Sequence, residues 1–492
     1  MFYYVDSWRC RARLKFKYNT QDPFKLKKMD KMPTGHENGK TDAPIAPVRS
    51  VLDPYSSKIE LTCNGSREDL DPYVPAQNRP LESNTSSFGA LAHLLKASLG
   101  SGVLAMPLAF KNAGLLVGCF GTIIIGFICA HVIHILVKTS QQLCIEVKKP
   151  CLGYADTCDL VFQNGPKSVR RFAPHVRELA DWALAVTHLG ACCVYVVVIS
   201  ESFKQISDEY GGPKWSVSVF CALCLIILIP LNQITKLKYL VPFSAVANFV
   251  WLASICISIY YCLRDPPPLS SRNLSTSIAG LPNFISTSLF AMEGIGVVMP
   301  IENEMTKPQH FLGCPGVLNI AMGAVVALYG FVGFCGYLSF GETVRGSLTL
   351  NLPQDEILAQ TAKILVACVM ILSYALIFYV PVDVAWRRIC DRIPVSSHRW
   401  ALAALRLFGT FLTVGLACAI PRLELFMELV GAICLSCLGL SLPAITETVW
   451  RWGKDLGPYK IVLIKNSIIV VISLIAMVSG VTFSIKSMID SL

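Results

Sequence analysis

The sequence predicts an all-α integral membrane protein with eleven transmembrane helices. They form a five-plus-five inverted repeat whose first and sixth helices are broken, with one helix left over. Three observations carry this reading. The 492 residues are 53% hydrophobic and only 15% charged, with a mean hydropathy of +0.53, whereas about a quarter of an ordinary soluble chain is charged. Apolar runs close to the roughly 20 residues that cross a bilayer recur from Phe88 onward. Two of these runs, five apart, are interrupted by glycines.

Residues 1–87 are polar, carry both signs of charge and are rich in Pro, Ser and Asn. They bury too little apolar surface to fold alone and are expected to form a disordered arm. The opening MFYYVDSWRCRARLKFK has no apolar core followed by a small-residue cleavage site, so the first span is expected to act as the insertion signal. Spans are expected at 88–110, 115–137, 179–200, 216–231, 240–263, 285–301, 317–340, 357–380, 400–420, 425–442 and 460–484, with a short tail at 485–492. The first holds LAHLLKASLGSGVLAMPLAFKNAG, in which Gly100-Ser101-Gly102 is followed by Pro107. Two glycines around a serine weaken a helix and leave backbone groups without partners. In a membrane such groups are tolerated only inside protein or beside a cavity. The sixth span breaks in the same manner at Gly294-Ile295-Gly296 and is closed by Pro300. Glycine-interrupted spans at matching positions in two halves point to a transporter binding site.

Lys and Arg in the loops set the orientation. About 17 lie after even-numbered spans and about 8 on the opposite side, and the richer side belongs in the cytoplasm. The N-terminus is then cytoplasmic and the C-terminus extracellular or luminal. Asn273-Leu274-Ser275 falls in an outward loop and is the expected glycosylation site; Asn64-Gly65-Ser66 and Asn84-Thr85-Ser86 stay bare on the inner side. The net charge of +10 sits on membrane flanks and in the arm, so no nucleic-acid partner is expected. Most of the 20 cysteines lie in apolar spans, where a thiol acts as a small hydrophobe. No zinc spacing, nucleotide loop or nucleophile–base set is present in the sequence, which argues against an enzyme, a metal or a cofactor.

HLLKASLGSGVLAMPLAFKNAGLLVG resembles the first-helix signature of the proton-coupled amino acid transporters, a branch of the amino acid/auxin permease family. LFAMEGIGVVMPIENEMTKPQHF resembles that family's sixth helix, and ELVGAICLSCLGLSLPAITE, more weakly, its tenth. The resemblance covers 88–484. It implies the inverted-repeat fold of the amino acid–polyamine–cation superfamily and symport of small zwitterionic amino acids with protons, or an amino-acid sensing role on endolysosomal membranes.

A free amino acid presents a carboxylate and an ammonium. Helix N-termini supply free N–H donors for the first, and the residues in place are Gly100, Ser101 and Gly102. Carbonyls released by the second break, at Phe290, Ala291 and Met292 before Gly294, supply acceptors for the second. Thr187, Tyr195 and Tyr374 are expected on the opposite wall. A glycine-walled pocket favours glycine, alanine and proline. The resemblance places His93 on the family histidine implicated in proton coupling, and imidazole titrates near physiological pH. Glu293, an ionisable residue deep in the sixth span, is a second coupling candidate and a substrate ligand. His131, His134 and His188 are weaker proton candidates. Glu428 in span ten is a third acidic candidate, close enough to the outer interface for solvation to be the simpler reading, and Glu302 and Glu304 read as caps on the inner mouth that pair with Lys307. The alternatives are a lysosomal sensor signalling to a partner through the arm, with little transport, and sodium coupling on the same fold.

Overall fold

The computed structural model describes residues 73–79, 85–98, 100–234, 241–292, 294–420 and 422–489. Most of the arm, the sequons at Asn64 and Asn84, and Glu293 lie outside these residues.

Fourteen helices are used below. The first span is a pair, α1 (Ser87–Ser98) and α2 (Gly102–Ala113), bent by 55°. Then come α3 (Leu115–Glu146), the short α4 (Tyr154–Asn164), α5 (Ala173–Glu209), α6 (Val217–Asn232) and α7 (Val241–Arg264). The sixth span is again a pair, α8 (Leu281–Ala291) and α9 (Ile295–Glu304). The remainder are α10 (Val317–Phe340), α11 (Ile357–Ile389), α12 (His398–Ala419), α13 (Leu423–Arg451) and α14 (Ile461–Ile489). Among the described residues, 9 helices alone are long and apolar enough to cross a membrane, and the α1–α2 pair makes 10. Eleven is reached only by counting α6, which is shorter and holds Pro230.

The inverted repeat is visible in the packing. An odd number of spans in the first half makes the second half enter from the opposite face. In four pairs span n then meets span n+5: α2 packs on α8 and α1 on α9, α3 on α10, α5 on α11, and α6 on α12. The cross-contacts mirror one another, α7 lying on α11 and α13 on α5. Burial separates the centre from the rim. The apolar windows of α5, span six and α13 are 72%, 71% and 72% buried, against 33% for α3 and α12 and 28% for α14. The extra helix is thus a peripheral strut, seated on α13 and α8.

Two features were not anticipated. Residues Gly431–Ser441 of α13 form a π-helix. The Tyr154 hydroxyl of α4 donates to the Leu438 carbonyl at 2.7 Å, and the Ser473 hydroxyl of α14 donates to that of Ser436 at 2.6 Å. The wide turn is therefore stitched on two sides. In addition, the end of the arm is ordered. Arg79 reaches Glu302 at the end of α9 through an ion pair of 3.1 Å, and its Nη1 donates to the Glu302 carbonyl at 2.8 Å. The Thr85 N–H donates to the Glu304 carbonyl, and Thr306 N–H to the Thr85 carbonyl, both at 3.1 Å. Glu302 therefore pairs with Arg79, which corrects its expected pairing with Lys307. Glu302 is 1% exposed because Arg79 and Gln141 enclose its carboxylate.

Candidate substrate site

The two breaks meet. Ser101 lies in the non-helical link and caps α2, so the first N–H groups of α2 have no intrahelical acceptor. α8 ends at Ala291 with Met292 as its cap, so its last carbonyls are likewise short of helical donors. Gly102 brings these ends together: a Cβ there would stand 2.5 Å from the Ala291 Cα and overlap its carbonyl oxygen. The positive end of one half-helix therefore faces the negative end of the other. On the far side, a Cβ on Gly294 would lie 3.6 Å from the Ser98 hydroxyl. Gly100, Ser101, Gly102, Phe290, Ala291, Met292 and Gly294 thus converge on one junction.

Tyr195 of α5 joins them, its hydroxyl 3.9 Å from the position of a Cβ on Gly100. The hydroxyls of Thr187 and Tyr374 have partners away from the glycine breaks. The Thr187 hydroxyl donates to the Ala183 carbonyl at 2.8 Å within its own helix. The Tyr374 hydroxyl bonds Thr413 of α12 at 2.5 Å, and its ring stacks on Phe378.

His93 lies on the exposed face of α1, opposite the buried Ala90, Leu94 and Ser98. Lys96 shares that exposed side. Glu428 is 4% exposed, not solvated. Asn273 is exposed in the loop between α7 and α8, accessible for modification.

Tyr329 and the α8 hydroxyls were not read from the sequence, whereas His188 was among its weaker proton candidates. Tyr329 of α10 is fully buried and donates its hydroxyl to the Ser98 carbonyl, capping the end of α1. Ser286, Thr287 and Ser288 of α8 are 0% exposed, and their hydroxyl oxygens have no hydrogen-bond partner among the described residues. Three adjacent hydroxyls in an apolar span were the signal for them. Unpartnered buried hydroxyls cost about 1–3 kcal/mol each, so water or a ligand is their natural complement. His188 of α5 lies against the opening of α9, where a Cβ on Gly296 would be 3.4 Å from its Cε1. Among the described residues no group of three or more His, Cys, Asp or Glu is placed to hold a metal.

Residues 83–486 match the family described as transmembrane amino acid transporter protein. The chain is 37% identical over 448 residues to the proton-coupled amino acid transporter-like protein pathetic of Drosophila melanogaster, covering 90% of this chain and 93% of that one. It is 26% identical to the probable amino acid transporter skat-1 of Caenorhabditis elegans, over 82% of this chain and 90% of that protein. Among solved structures, MhsT in complex with L-phenylalanine aligns with a TM-score of 0.49 at 14% identity, over 82% of this chain and 100% of that one. The match along nearly the whole length places this multi-pass membrane protein in the transmembrane amino acid transporter family.

Proposed function

We propose that the protein is a symporter that moves small neutral amino acids, of the alanine, glycine and proline class, together with protons. The observation that carries this reading is the junction of Gly102 with Ala291. Opposed half-helix ends offer donors to a carboxylate and acceptors to an ammonium within one zwitterion's length. Glycines at 100 and 294 leave room for backbone atoms of a ligand and little for a large side chain. The likeness to a proton-coupled amino acid transporter-like protein of Drosophila supports protons as the coupling ion, and no other cofactor is invoked. Glu293, next to the junction, is a ligand or proton carrier in this scheme, and His93 the coupling histidine.

The basic loops put the N-terminus in the cytoplasm and Asn273 on the extracellular or luminal side, in the plasma membrane or an endolysosomal membrane. Voltage-clamped cells expressing wild type and His93→Ala test the scheme, with alanine, glycine and proline applied from pH 5.5 to 7.5, with and without sodium. Inward current that grows with acid, ignores sodium and fails in the variant is expected. Current that vanishes without sodium refutes proton coupling.

One observation favours a second reading, a sensor signalling through the arm. Arg79 ties the arm to α9 at Glu302, so movement of that half-helix is felt at the end of the arm. Binding of alanine without flux or current, at confirmed expression, is the outcome that selects it.

A further inference from the structure

We infer that His188 is the proton-binding group of the inner half of the transport path, receiving the coupled proton at Nε2 and releasing it into a crevice between α5, α9 and α11. This deepens the symport reading and rests on it. The His188 ring is only 7% exposed. Its Nδ1 lies 2.7 Å from the Leu184 carbonyl one turn earlier. A carbonyl only accepts, so Nδ1 carries the hydrogen and Nε2 is the basic nitrogen. Among the described residues Nε2 has no hydrogen-bond partner.

Position gives the free nitrogen a use. The Cε1–Nε2 edge faces Gly296, the second residue of α9, with Cε1 at 3.4 Å and Nε2 at 3.9 Å from a Cβ built there. The ring therefore sits beside the sixth-span break. It lines a crevice that also touches Pro300, Tyr379, Asp383 and Arg387. The charged groups lie at the basic end. Asp383 of α11 pairs with Arg387 at 3.2 Å, Arg387 lies 3.8 Å from Asp181 of α5, and Arg388 holds Asp181 at 3.4 Å and Glu178 at 2.6 Å. Asp181 is seven residues before His188, two helical turns or about 10.5 Å along the same face. The residues of α9 in the crevice carry no titratable group. Carboxylates thus stand between His188 and the basic end, where water takes a proton away.

The proton balance is simple. A proton arriving from the junction adds to Nε2 and makes the imidazolium. The same N–H then gives its proton to crevice water or to a carboxylate, and the neutral ring returns to its starting tautomer. Nδ1–H stays on Leu184 throughout, so the ring need not flip.

Proteoliposomes test the assignment with radiolabelled alanine in wild type and His188→Gln. Two readouts are compared: accumulation driven by an inward proton gradient, and alanine–alanine exchange at equal pH. Accumulation is expected to fall at least tenfold in His188→Gln while exchange falls less than threefold. Accumulation with a wild-type level and pH profile overturns the assignment. A parallel loss of both also overturns it, because that is the mark of a packing residue. If wild type itself ignores the proton gradient while exchanging alanine, the symport reading fails first and this assignment falls with it. The two failures are therefore distinguishable.

Discussion

Replacing Arg79 by glutamine should release the end of the arm from α9. The guanidinium and the Glu302 carboxylate are 6% and 2% exposed at the side chain. Arg79 also donates from Nε to the Pro150 carbonyl at 3.1 Å and from Nη1 to the Glu302 carbonyl at 2.8 Å. Removing one member of a buried pair typically costs 3–5 kcal/mol, since the other charge is left uncompensated. The lower end applies here. Gln141 keeps one hydrogen bond on Glu302 at 2.9 Å, and the pair sits at the end of a span where water can reach it. A cost of about 3 kcal/mol is roughly a 150-fold shift in the opening equilibrium. Hydrogen exchange reads this directly, because the Thr85 and Thr306 amides are held by the same strap. Peptides covering 85–90 and 301–307 should exchange on the order of 100-fold faster in Arg79→Gln. The double variant with Glu302→Gln should recover part of the protection, both groups then being neutral. A change below threefold in the single variant would refute the idea that this ion pair holds the strap.

Three further outcomes follow from other positions. Gly431→Ala places a Cβ 2.7 Å from the Ser286 carbonyl carbon and should cost at least about 1–3 kcal/mol by overpacking; Gly323→Ala, with nothing within 4 Å, should leave the melting temperature in detergent unchanged. Tyr329→Phe removes the hydroxyl that caps Ser98 and should weaken alanine binding by about 1 kcal/mol, read by isothermal titration; an unaltered affinity would separate Tyr329 from the site. Glu356 is held below the ordinary carboxylate value of 4.5 by the Tyr261 hydroxyl and then by Arg264, each at 2.7 Å. Its contribution is therefore complete above pH 4.5 and is lost as pH falls toward its lower native value. Tyr261→Phe should move that loss to higher pH, visible as an earlier acid decline in melting temperature.

Much of the architecture was legible before any coordinates. A membrane span must satisfy its own backbone, so its existence is a local property of an apolar run. The glycine breaks were legible for the same reason, since glycine and the lack of a Cβ act where they stand. Gly102 illustrates how far this reached: its small size pointed to close approach, and Ala291 proved to be what approaches. The sequence was less informative wherever a residue's role depended on helix rotation. Thr187 and Tyr374 lie on the central spans as expected, but their hydroxyls are committed to Ala183 and Thr413. Glu428 looked solvated from its depth alone and is buried.

By itself the sequence determined the class of molecule, the spans, the two breaks and the odd count per half that forces inversion. Each of these follows from composition, length or a single residue's backbone freedom. Only the tertiary structure decided which side chains face the junction. It set Tyr195 and Tyr329 beside it, put His188 against Gly296 and His93 on the exposed face of α1, and joined Arg79 to a carboxylate 223 positions away. In an apolar run nearly every face is equally hydrophobic, so periodicity carries no record of rotation, and only the fit of neighbouring helices chooses it.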